Sequence, residues 1–149
     1  MKKIKFEKQL FIAIFIFVLD QLSKILIEKY IYDDQIVVLK NIFSLTYVKN
    51  TGGAWGVMNG IPIIFLILVP IVIVAVFMAA INSHKLLEKV SWYIIIGGAL
   101  GNYIDRLTRG YVVDFLDFHI WPVFNVADIF VVIGCFLLIV SSFTKKSDV

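Results

Sequence analysis

From Ile61 to Ile81 the chain reads IPIIFLILVPIVIVAVFMAAI, without a single charged side chain. About 20 apolar residues in a helix match the roughly 30 Å hydrocarbon core of a bilayer, so this run predicts a membrane span. Pro70 near its middle removes one backbone donor and is expected to kink the helix. The rest of the chain follows suit. Of its 149 residues 60% are apolar and only 17% charged, with a mean hydropathy of +0.93. A soluble domain of this size cannot hide that much apolar surface. The net charge of +3 would suit nucleic acid, but the basic residues stand in short groups flanking apolar runs, which excludes that reading. One cysteine allows no disulfide within the chain, and two histidines with it do not make a His/Cys zinc site. Neither metal nor cofactor is expected.

Apolar runs predict four spans, at about residues 10–27, 61–81, 90–104 and 126–143, in one integral membrane domain covering residues 1–149. The first has a basic flank but no small-residue cleavage site after it, so it reads as retained rather than as a signal peptide. Lys2, Lys3, Lys5 and Lys8, then Lys85 and Lys89, then Lys145 and Lys146 fall on one side of an even number of spans. The positive-inside rule makes that side cytoplasmic, with both termini there. External segments are then about 28–60 and 105–125. The first contains IVVLKNIFSLTYV, whose alternation reads as strand before the glycine-rich NTGGAWG turn. The fold expected is an all-α membrane protein, a four-transmembrane-helix bundle with a small extracytoplasmic β-sheet between helices 1 and 2.

Charges inside a membrane cost several kcal/mol, about 3 on insertion scales, so each marks a functional candidate. Asp20 and Lys24, four apart, lie on one helix face in the favourable order for an ion pair. Their plainest role is to lock span one against the bundle. The denser cluster is GGALGNYIDRLTRGYVVDFLDFHIWPVFNVAD, residues 97–128. Asp114 on its YVVDF stretch can approach Asp128 in the first turn of span four, at the outer rim of the membrane. Two carboxylates in a low-dielectric site share a proton, one serving as general base on a water and the other as general acid. That is what amide hydrolysis without a covalent intermediate requires. Asn50, Asn102 and Asn125 each stand beside an apolar segment, where an unpaired amide is costly and a peptide would supply partners. Arg106 on the external side runs against the positive-inside rule, which a binding role explains.

Other chemistries fit less well. Asp117 and His119 read as residues of a solvated loop, and neither Ser23 nor Ser44 stands in a nucleophile elbow. Cys135 within VVIGCFLLIV has no neighbouring cation and reads as packing. A transporter would place its ionisable residues near the midplane and often show repeated halves, and no repeat is visible. A lipid phosphotransferase or phosphatase needs a metal-binding acidic pattern or a phosphate cradle.

Taken in order, DQLSK (Asp20 to Lys24), NTGGAWG (Asn50 to Gly56), GGALGNYIDR with VVDF (Gly97 to Phe115) and FNVAD (Phe124 to Asp128) resemble the motifs of the bacterial lipoprotein signal peptidases, or signal peptidase II. The resemblance implies an aspartic endopeptidase that removes the signal peptide of diacylglyceryl-modified prolipoproteins, cutting before the lipidated cysteine. Asp114 and Asp128 match its catalytic pair. Asn50, Gly52, Asn102, Arg106 and Asn125 match positions that contact substrate or support the dyad, and Asp20 and Lys24 match supporting polar positions. Asp105 also belongs to the motif and is assigned a structural role, pairing with Arg106 or Arg109. Gly53 stands where the family often has alanine. The expected partners are the prolipoprotein and membrane lipid, the expected state is a monomer, and the location is the bacterial cytoplasmic (inner) membrane with the site near the external face.

Overall fold

The computed structural model describes residues 8–32, 34–52 and 62–144. Lys2, Lys3, Lys5, Gly53 to Gly56, Ile61, Lys145 and Lys146 lie outside the described residues. The elements are α1 (Leu10–Tyr30), β1 (Gln35–Leu39), β2 (Phe43–Asn50), α2 (Pro62–Asn82), α3 (Leu86–Arg109), β3 (Val112–Asp117) and α4 (Val126–Phe143). Within these, Leu10–Tyr30, Ile64–Asn82 and Val126–Phe143 are long and apolar enough to cross a membrane. Pro70 is accommodated inside α2.

The most central helix, α3, packs against α1, α2 and α4. Its position explains its mixed composition: Ser91, Gly97, Gly98, Gly101 and Asp105 are buried against protein, where small and paired polar groups serve better than bulk apolar ones. Gly97 and Gly101, four apart, face α1, and a Cβ on Gly97 would meet the Ala13 carbonyl oxygen at 2.7 Å. The outward faces of α2 and α4 carry Ile67, Leu68, Ile71, Val132 and Phe136, all more than half exposed. An exterior of this kind needs an apolar solvent.

Two apolar clusters bracket the middle of the bundle. Ala13, Ala80, Tyr93 and Ile96 join α1, α2 and α3. Ile27, Ile31, Val113 and Phe115 tie the end of α1 to the sheet.

The sheet is antiparallel in the order β1-β2-β3, which corrects the expectation of a sheet confined to the chain between the first two helices. Its third strand, VVDFLD, comes from between α3 and α4, and four of its residues are buried. Long-range pairing is what turns this stretch into a strand. The chain reaches it through Gly110, whose φ of 80° reverses direction and whose N–H bonds to the Arg106 carbonyl at 3.2 Å. Helix α3 also continues to Arg109, so Asp105 and Arg106 stand on a helix rather than in a loop.

Candidate active site

Lys24 is fully buried on α1, and its ammonium reaches three acceptors: Asp20 Oδ2 at 2.8 Å, Asp105 Oδ2 at 2.9 Å and Asn102 Oδ1 at 2.9 Å. An ammonium has three N–H groups, so these partners account for all of them. Gln21 Nε2 bridges the two acids, at 3.2 Å from Asp20 and 3.1 Å from Asp105. The carboxylates then reach backbone. Asp20 Oδ1 accepts from the Ala127 N–H at 2.9 Å, and Asp105 Oδ2 from the Val113 N–H at 3.4 Å. Sequence spacing pointed to the Asp20 and Lys24 pair. Asp105 pairs more closely with Lys24 than with Arg109, which lies at 3.9 Å, a choice visible only in three dimensions.

Asp114 lies on β3 and Asp128 in the first turn of α4, and both line one cavity of about 320 Å³ with Asn50, Asn102, Arg106 and Trp121. Backbone bonds from Phe124 to Leu116 lay the entry to α4 alongside β3. Asn125 is fully buried there and caps α4, its Oδ1 accepting from the Asp128 N–H at 3.0 Å while Asp128 Oδ2 accepts from the Asn125 N–H at 3.2 Å. The Nδ2 of the same amide donates to Asp114 Oδ1 at 2.6 Å and to Asn102 Oδ1 at 3.0 Å. Asn102 Nδ2 donates to Asp128 Oδ1 at 2.7 Å.

Asn50 completes the set from β2. It pairs in register with Val112, which puts it diagonal to Asp114 on one face of the sheet, and its Nδ2 donates to Asp114 Oδ2 at 2.7 Å. Gly52 N–H donates to Asn50 Oδ1 at 3.0 Å, so the turn fixes which end of that amide meets the acid. Among the described residues, each aspartate therefore accepts from two N–H groups. Burial pushes the Asp114 carboxyl up to about 7, with the Asp128 charge adding to the rise and the bonds from Asn50 and Asn125 opposing it.

Arg106 lies at the rim, its guanidinium over the Phe65 ring at 4.5 Å and its Nη1 bonded to the Asn102 carbonyl at 3.2 Å. Its buried Nε has no acceptor among the described residues. Among the described residues no three His, Cys, Asp or Glu side chains converge to hold a metal ion.

The structure brings Asn50, Gly52, Asn102, Arg106, Asp114, Asn125 and Asp128 to the cavity or to its hydrogen-bond network, with Asp20, Lys24 and Asp105 behind them. Sequence reasoning missed Gln21, whose only signal was its place between Asp20 and Lys24. It also gave no sign that Ser44 meets His119. Ser44 Oγ lies 3.3 Å from His119 Nε2, and His119 Nδ1 lies 3.3 Å from Asp117 Oδ1. Strand β2 carries the serine across to the turn after β3, a proximity that follows from register alone. Ser44 is wholly buried, and this series fastens the turn to the sheet.

A family model described as signal peptidase (SPase) II matches residues 12–144. The chain is 44% identical over 130 residues to the lipoprotein signal peptidase of Halothermothrix orenii, covering 86% of this chain and 90% of that protein. It is 45% identical over 122 residues to the enzyme of the same name from Caldicellulosiruptor bescii, covering 82% and 81%. A solved bacterial membrane enzyme structure, determined by the in meso method at 2.3 Å resolution, superposes with a TM-score of 0.83 at 33% identity, covering 95% of this chain and 93% of that one. With the family model spanning nearly the whole described chain, the protein belongs to the signal peptidase II family.

Proposed function

We propose that this chain is a lipoprotein signal peptidase working as an aspartic endopeptidase, with Asp114 and Asp128 as its catalytic pair. It removes the signal peptide of diacylglyceryl-modified prolipoproteins by cutting before the lipidated cysteine. The observation that carries this reading is the convergence of both carboxylates on one cavity, joined through the Asn125 and Asn102 amides. All four helices span the bacterial cytoplasmic membrane, both termini are cytoplasmic, and the sheet and site lie at the external face. The working unit is one chain, without a cofactor.

The environments divide the labour. Asp128 stands at the third position of α4 and accepts from the Asn125 N–H and from Asn102 Nδ2. Asp114, buried on a strand and pushed up to about 7, keeps a proton to give. Asp128 takes a proton from water as the water oxygen bonds to the scissile carbonyl carbon. As the carbon–nitrogen bond breaks, Asp114 supplies a proton to the departing amine. Arg106 at the rim is placed to hold the negative charge that develops on the carbonyl oxygen. The precursor enters sideways from the lipid, its acyl chains staying in the bilayer.

The test is a gel-shift cleavage assay in detergent or liposomes with EDTA present, using substrate with and without its diacylglyceryl group. Wild type is expected to cut only the lipidated form, and folded Asp114→Asn and Asp128→Asn to cut neither. Turnover by either variant would remove that residue from the dyad, and dependence on a divalent metal would favour a different hydrolytic mechanism.

A further inference from the structure

The Asn102 side chain stands between two competing environments. On one side are Asp128 and the Asn125 amide, and on the other the buried acids Asp20 and Asp105 with the ammonium of Lys24. An amide turned end for end would point its carbonyl oxygen at the Asp128 carboxylate and its NH2 at the two acids. Three groups oppose this: Asp128, which accepts only from the NH2 end, Asn125 Nδ2, which needs an acceptor, and on the far side Lys24, whose N–H at 2.9 Å can be met only by the oxygen end of Asn102. With the oxygen held there, Asn102 Nδ2 faces Asp128, and the same oxygen accepts from Asn125 Nδ2, the atom that also donates to Asp114.

We propose that Lys24 is a positioning residue for the dyad: by fixing the orientation of the Asn102 amide it aims one amide donor at Asp128 and, through Asn125, another at Asp114. This rests on the dyad reading above. It assigns to Lys24 more than the locking of α1 into the bundle, because replacing the ammonium by an apolar group leaves Asp20 and Asp105 without their shared cation, and the Asn102 NH2 is then drawn toward them. Of the charged groups facing Asp128 across the cavity, Arg106 on α3 and Asp114 on β3, neither is bonded to Lys24, although its charge acts on Asp114, holding that carboxyl below where burial alone would put it.

The test is a double-mutant cycle on steady-state cleavage of the lipidated substrate, with Lys24→Met, Asn102→Ala and the pair, each normalised to folded enzyme. Removing partners that orient a reacting group typically costs about ten- to a hundredfold, so Lys24→Met is expected to lower kcat by that much with KM within about twofold of wild type. In the Asn102→Ala background the same substitution is expected to cost less than about threefold more, because the group it orients is gone. An equal loss in both backgrounds, or wild-type kcat in Lys24→Met, overturns the proposal and leaves Lys24 a structural residue. If Lys24→Met does not fold, combining it with Asp105→Asn restores the cluster's net charge, and Asp105→Asn alone becomes the reference for the same cycle. Asp114→Asn and Asp128→Asn are run alongside. If either still cuts, the dyad reading falls and this inference with it, whereas inactive aspartate variants with an additive cycle sink the inference alone.

Discussion

Asp20 accepts a hydrogen bond at 2.9 Å from the backbone N–H of Ala127, 107 positions further along the chain. A carboxylate from α1 thus holds the first turn of α4 from outside the helix, meeting one of the N–H groups that a helix start leaves unpaired. Asp105 makes the corresponding, longer bond to Val113. The two residues held in this way immediately precede Asp128 and Asp114. Because both acids share Lys24, the backbone beside Asp114 and beside Asp128 is referenced to one buried ion cluster.

Gly101 is where that cluster is most exposed to a steric test. A methyl group added there would overlap the Asp20 carboxylate itself. Gly101→Ala is expected to cost about 1–3 kcal/mol, as overpacking does, and to lower turnover by pushing Asp20 off Ala127. Gly110→Ala is the contrast: its φ is +80°, open space surrounds it, and only the left-handed backbone is penalised, by about 1 kcal/mol, with turnover kept. Thermal unfolding in detergent and cleavage rates check both, and a fully active Gly101→Ala would count against the clamp.

Asn125 carries two duties that substitution can separate. Its oxygen caps α4 and its nitrogen serves Asp114. Asn125→Ala is expected to lose the cap, worth about 0.5–2 kcal/mol, together with turnover. Asn125→Ser can still cap, so it should be the more stable of the two yet equally impaired in kcat. Turnover that tracks stability across the two variants would show that the amide matters only as a cap.

Burial pushes Asp114 up to about 7 from an ordinary 3.8. Between those values the folded chain holds a proton that the unfolded chain releases, so this group makes stability fall as pH rises through the window. Asn has no proton to lose. Relative to wild type, Asp114→Asn is expected to gain in melting temperature between about pH 4 and about pH 7, while wild-type turnover declines above about 7 as the acid is lost. Parallel melting curves for the two proteins across this range would contradict the assignment.

Ser44→Ala should keep full turnover. The lost bond to His119 is expected to cost about 1 kcal/mol and to loosen the turn that leads to Trp121 and Phe124. Abolished cleavage with an intact fold would instead reopen serine chemistry at Ser44, His119 and Asp117.

Local sequence determined the apolar helices, because the transfer of a continuous run such as Ile64–Asn82 out of water depends on the run itself. It also determined that Asp20 and Lys24 share a helix face, which follows from 3.6 residues per turn. The motifs marked Asp114 and Asp128 as the pair to watch. Only the tertiary structure decided what those residues touch. The third strand exists because VVDFLD finds β2, the Lys24 ammonium finds its other two acceptors because α3 delivers Asp105 and, 78 positions away, Asn102, and Ser44 meets His119 only through strand register. A buried polar group takes whichever partner the packed chain brings within about 3 Å, and that proximity is a property of the whole fold rather than of the residue's neighbours in sequence.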